Sequence, residues 1–235
     1  LNPDLKKAFS HYDSYQPWGE VIDSSKMTGK QLAKGIYQAG QGRSKTVFFE
    51  QEDHFIAIGG AHVLKANFEQ IRTLTKSEKP LLHFVLTHHH RSNLRGLNHV
   101  LELNAKLVVA NAHKEAVTSA LNINDSEQKL VIVPDREPFE LGDLTLFDIP
   151  TAHSQHYLLG YSETNKMIIA EEHFETDLKT AKPRIYKDMV IFSDALKSLN
   201  IEIDILVDIR SWRQFSMDEF SGWVNSFNGK TCPEG

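Results

Sequence analysis

The sequence predicts an α/β fold, a four-layered αββα sandwich in which two mixed β-sheets are flanked by helices. Three observations lead there. Short, β-prone apolar runs alternate with stretches of near-helical apolar spacing in both halves of the chain. No linker, repeat or low-complexity tract separates the halves, so one domain is expected over residues 1–235. The composition, 40% apolar and 24% charged, is that of a folded chain and excludes disordered and fibrous classes.

Residues 1–45 read as an irregular polar lead-in, punctuated by Gly19, Gly29, Gly35, Gly40 and Gly42. Residues 47–50 and 54–58 suit two short strands joined by the polar turn Gln51-Glu52-Asp53, and Gly59-Gly60 then breaks the chain. Val63, Ala66, Ile71 and Leu74 place a helix over 62–77, with Pro80 after its stop. Residues 81–87 form a buried-strand run, and 97–103, 106–110, 112–120 and 130–133 continue as helix, strand, helix and strand. Strands follow at 144–149, 157–161 and 166–170. A helix over 187–199, a strand over 203–207 and a helix over 216–227 complete the chain.

The net charge of −5 offers no basic patch for phosphates, so no nucleic-acid partner is expected; the charge neither identifies nor excludes a small-molecule substrate, the partner expected on other grounds. No apolar run is long enough to span a bilayer, so no membrane partner is expected. The chain starts at Leu1, which leaves open a removed targeting peptide and hence cytoplasmic, periplasmic or secreted residence. Cys232 is the single cysteine, so neither an intrachain disulfide nor a thiolate metal cluster is available.

Histidine is the anomaly, with 12 residues unevenly spread. His88, His89 and His90 are consecutive and directly follow the strand run at 81–87. In an extended segment, side chains at i and i+2 share a side, so His88 and His90 can converge on one metal while His89 points away. His153 also sits just past a predicted strand, in Pro150-Thr151-Ala152-His153-Ser154, and offers a third nitrogen. Glu171, Glu172 and His173 end another buried run, where carboxylates can bind a metal or orient a ligand histidine. A polar histidine loop and a solvated acidic loop are the alternative readings of these segments.

The order and spacing of these elements resemble the metallo-β-lactamase superfamily over about residues 36–211. That superfamily has a Thr-His-x-His-x-Asp-His loop where this chain reads Thr87-His88-His89-His90-Arg91-Ser92-Asn93. Its Pro-Gly-His-Thr-like turn is matched by Pro150-Thr151-Ala152-His153-Ser154, and its metal-bridging Gly-Asp by Glu171-Glu172. The resemblance implies one zinc ion on His88, His90, His153 and Glu172. The second-metal positions hold Ser92, Asn93 and Arg210, none of which is a good ligand for a divalent cation. The Asp usual after the early strand is replaced around Gly59-Gly60.

The implied function is a mononuclear metal-dependent hydrolase acting on an ester, lactone, amide or phosphoester. Glu171, Glu172 and His156 are the candidates for general base. The alternative is a non-catalytic relative that keeps the fold as a binding or structural module. Arg210 is expected to fill the vacated second-metal region and to pair with Glu171 or Glu172; a solvent-exposed arginine is the other reading.

Overall fold

The computed structural model describes residues 23–89, 91–94, 96–121, 129–173 and 185–227. Seven strands build the first sheet in chain order: β1 (Thr28–Ala33), β2 (Ile36–Gln41), β3 (Ser44–Glu50), β4 (Phe55–Ile58), β5 (Leu81–Val85), β6 (Lys106–Ala110) and β7 (Leu130–Val133). Its first four strands pair antiparallel and β4 through β7 pair parallel. The second sheet contains β8 (Phe139–Leu141), β9 (Leu144–Ile149), β10 (Tyr157–Ser162), β11 (Met167–Ala170), β12 (Ile205–Asp208) and β13 (Gln214–Ser216). Its order is β13-β12-β11-β10-β9-β8, with only the β11–β12 pair parallel. The helices are α1 (Leu64–Thr75), α2 (Leu97–Glu102), α3 (Lys114–Leu121), α4 (Lys187–Ser198) and α5 (Met217–Asn225), with a single helical turn at Arg91–Leu94. Among the described residues, no helix is long and apolar enough to cross a membrane.

Strand alternation explains the four layers. Val47, Phe49, Ile56, Ile58 and Val85 face Leu146, Leu158, Met167, Ile169 and Val207 in the seam between the sheets. Their neighbours Phe48, Phe55, Ala57 and Phe84 point the other way, onto Leu64, Phe68 and Ile71 of α1. On the second sheet, Tyr157, Leu159, Ile168 and Leu206 point outward onto Met189, Phe192, Leu196, Phe220 and Trp223 of α4 and α5. Each central strand is therefore buried on both faces, which is why it reads as a continuous apolar run.

The expected irregular lead-in is corrected over residues 28–41, which form β1 and β2. β1 is an exposed edge strand with little apolar content, and its pairing is supplied by the turn at Gly35, which adopts a φ of 74°. Residues 1–22 of that lead-in lie outside the described residues.

Topology gathers several strand ends at one edge. β9 and β11 both run antiparallel to β10, so their C-terminal ends lie together, and β12 is parallel to β11. The two sheets are joined at this edge: Leu158 N donates to the Thr87 carbonyl at 2.7 Å, just beyond β5. Gly59-Gly60, just past β4, is held close to the same edge. A side chain at Gly60 (φ 69°) would meet the Lys45 carbonyl at 2.2 Å.

Candidate metal and carboxylate centre

His88 and the pair Glu171-Glu172 arrive from different sheets and meet. His88 Nε2 lies 3.1 Å from Glu172 Oε2, and both side chains are buried. Asn93 Nδ2 reaches His88 Nδ1 at 3.3 Å, and Thr87 Oγ1 lies 3.1 Å from that nitrogen. His88 can therefore take either tautomer with a partner for Nδ1, while Nε2 lies beside the carboxylate. Asn93, one of the residues standing where the resemblance expects a second-metal ligand, thus supports His88. The Thr87 hydroxyl in turn donates to Glu171 Oε2 at 3.2 Å.

Consecutive residues of an extended strand point to opposite sides, yet both carboxylates converge here. Glu172 makes this possible with a φ of 72°, in the left-handed region that a residue other than Gly or Asn rarely occupies. Such a conformation costs about 1–3 kcal/mol and persists only where its surroundings enforce it. Tyr157 supplies part of that restraint. Its fully buried hydroxyl accepts from Glu171 N at 2.6 Å and donates to Glu171 O at 2.9 Å. Burial first, and then the nearby Glu171, push the Tyr157 phenol well above its ordinary pKa, so it stays protonated and able to donate.

Arg210 closes the far side. Its Nε donates to Glu171 Oε1 at 3.1 Å and its Nη2 to Glu172 Oε1. The guanidinium is therefore paired with both carboxylates, and the solvent-exposed reading is set aside. Burial opposes its charge, but Glu171 and Glu172 outweigh that and raise its pKa. The loop carrying Arg210 is clamped from the first sheet. Gln38 Nε2 donates to the carbonyls of Asp208, Ile209 and Ser211, and buried Lys45 donates to the Arg210 carbonyl at 2.9 Å. Asp208 Oδ1 accepts from Arg210 N at 2.9 Å, and burial raises the Asp208 carboxyl to about 7.

The other sequence candidates are distributed around this core. His153 is 40% exposed, with Nε2 3.4 Å from Asp188 Oδ2 and its ring 5.4 Å from that of His173. His156 is oriented by Asp148, with Nδ1 2.8 Å from Asp148 Oδ2. His90 lies outside the described residues. His89 turns away from His88 and bonds His113, Nδ1 to Nδ1, at 2.7 Å. His113 Nε2 donates to the His156 carbonyl at 2.7 Å; burial pushes this imidazole down to about 4, so its other nitrogen is an acceptor for His89.

Potential ligand atoms of Asp135, Asp148 and His156 lie within 4.8 Å of one another. Asp148, however, already accepts from His156, Arg136 N and Tyr157 N, with the Arg136 guanidinium 3.8 Å away. That trio is a satisfied polar pin beneath the β9–β10 turn.

The residues around Glu172 fit one divalent cation. Two donor atoms sharing a tetrahedral zinc, each about 2.0–2.1 Å from it, stand roughly 3.3 Å apart, close to the observed His88–Glu172 spacing. A second cation on Glu171 would have to displace Arg210. His173 is the residue that sequence reasoning passed over. It is 1% exposed, it stacks on Phe192 at 4.7 Å, and both its ring nitrogens are buried without a hydrogen-bond partner among the described residues. Burial first, and then His153 and His88, push it down to about 3, so the ring is neutral.

No family model matches the sequence, and no curated protein matches it. Solved structures do match. A metallo-β-lactamase from Hirschia baltica superposes with a TM-score of 0.61 at 12% identity, over 85% of this chain and 96% of that one. The metallo-β-lactamase FIM-1 from Pseudomonas aeruginosa, in a mono-zinc form, gives 0.62 at 14% identity over 86% and 98%. A metallo-β-lactamase from Pontibacter korlensis gives 0.62 at 13% identity over 86% and 100%. At such identities the likeness is one of fold: two mixed sheets with outer helices, in the metallo-β-lactamase arrangement.

Proposed function

We propose that this metallo-β-lactamase-fold chain is a mononuclear metal-dependent hydrolase acting on an ester, lactone, amide or phosphoester. The observation that carries the reading is the facing pair His88 Nε2 and Glu172 Oε2, with Arg210 seated on the opposite edge of the same carboxylates. His88, His90, His153 and Glu172 are the candidate donors, three of which would hold the cation with a position left for water, zinc being the ion best suited to a donor set of imidazoles and carboxylate. Bound there, the metal would supply a lowered pKa for its water and polarise a scissile carbonyl or phosphoryl oxygen. Glu171 is committed to Arg210 and Thr87. Glu172 bonds Arg210 through Oε1 and faces His88 through Oε2, so proton transfer by it requires a carboxylate still paired on one side.

Elemental analysis of protein purified without added zinc should find one divalent metal per chain. Hydrolysis of a panel of esters, lactones, amides and phosphodiesters should appear on loading and vanish on chelation. Two tightly held metals would overturn the mononuclear reading. No metal after zinc is supplied, with no hydrolysis, would establish the non-catalytic relative instead.

A further inference from the structure

We propose that His173 is a protein ligand of the cation bound beside His88, His153 and Glu172. The inference rests on the reading that the chain binds a metal, and it adds a donor that the motif-matched positions do not include. Its basis is a buried ring whose nitrogens have no hydrogen-bond partner among the described residues. Of the described histidines, only His173 buries both ring nitrogens without a hydrogen bond. Leaving a buried donor or acceptor unmade is costly, so such a ring calls for a reason. A lone hydrophobic role would be met as well by Phe, which stacks on Phe192 without burying polar atoms.

Position supplies the reason. His173 directly follows Glu172, whose left-handed backbone turns the chain at the strand end. Its ring centre lies 5.4 Å from that of His153, tilted by 57°. Two imidazoles on one tetrahedral zinc, each nitrogen about 2.0–2.1 Å from the ion, hold their ring centres roughly 5 Å apart. The buried Tyr157 ring is flanked by His173 at 4.5 Å and His88 at 5.3 Å, so these two histidines sit on one buried ring. His153 is the exposed member of the group, with Nε2 3.4 Å from Asp188 Oδ2, a surface contact of little energetic weight.

The test is zinc affinity by competition with a chromophoric chelator, together with the visible spectrum of the cobalt(II)-substituted protein. His173→Phe keeps the stacking shape and removes both nitrogens. It should weaken zinc by more than the roughly 10–100-fold that a merely supporting residue costs, and should alter the cobalt bands. His88→Ala serves as the ligand reference, and His99→Ala, which removes another buried unbonded nitrogen, should leave zinc affinity unchanged. Unchanged affinity and spectrum in folded His173→Phe would overturn the proposal while leaving the metal reading intact. Failure of the unsubstituted protein to bind zinc would overturn both. If His173→Phe does not fold, ring ¹⁵N shifts of the unsubstituted protein decide: a His173 nitrogen that moves on zinc addition supports ligation, and unmoved nitrogens refute it.

Discussion

Tyr157→Phe deletes one oxygen atom and should be among the costlier single-atom changes in the chain. The hydroxyl is bonded to both backbone polar groups of Glu171, at 2.6 and 2.9 Å, at a residue only 4% exposed. Without it, a buried N–H and a buried C=O lose their partner, at about 1–3 kcal/mol each, for a total of about 2–6 kcal/mol. The ring contacts survive in Phe, so no cavity contributes. For a domain of this size a loss of about 3 kcal/mol lowers Tm by roughly 6–12 °C. Tyr161→Phe is the control. Its hydroxyl makes one bond, to the carbonyl of exposed Glu202, which water can satisfy after the change, so about 0.5–1.5 kcal/mol is expected. Urea unfolding of both variants at pH 7 gives the comparison. A Tyr157→Phe loss no greater than that of Tyr161→Phe would refute the argument that this hydroxyl restrains the strand end.

Arg210→Met should destabilise by about 3–5 kcal/mol in urea unfolding, because it strands two buried carboxylates; a neutral result would mean that the ion pairs only offset their own desolvation. Asp208 is ordinarily near 3.8 and is raised to about 7 in the fold, so its contribution is complete below about pH 4 and fades as pH rises through about 7. Asp208→Asn should therefore gain stability relative to the unsubstituted protein at pH 8 and not at pH 4, by up to about 4 kcal/mol; equal pH slopes in urea titrations would refute this. His153→Ala should abolish zinc binding in equilibrium dialysis and His89→Ala should largely preserve it, since His89 faces His113 instead. Equal losses would show that the register assumed through the histidine triplet is wrong.

What the sequence made legible follows burial. Residues 106–110, 130–133 and 144–149 were expected as strands and are strands over those same residues, because buried β-prone runs carry an unambiguous signal. β1 escaped because it buries little, and β2, though buried, because Gln38, Gly40 and Gln41 interrupt its apolar run; β8 and β13 are three-residue edge strands whose pairing comes from their neighbours, a tertiary cause that local pattern does not encode. Arg210 was legible as a pairing partner of the acidic residues through its place in the motif order. His173 was visible only as one of several late histidines. Its significance lies in two unbonded nitrogens, which no spacing rule reveals. His156 and Asp148 illustrate the converse: each suits a site by residue type, but the structure joins them to each other.

The arrangement of charge explains why a pair of carboxylates can sit buried beside a single cation site. Glu171 and Glu172 bring two negative charges into a low-dielectric edge between the sheets, where unpaired charge is costly. Arg210 returns one positive charge and divides itself between them, occupying an oxygen of each. Thr87 takes the remaining Glu171 oxygen, so that residue is spent on structure. Glu172 Oε2 faces the His88 imidazole, and the formal charges of Glu171, Glu172 and Arg210 sum to −1. A divalent ion on His88 and Glu172 would overcompensate that charge by one. With a second cation in place of Arg210 the same count would exceed neutrality by two. On the proposed reading, Arg210 would therefore limit how much positive charge the centre accepts.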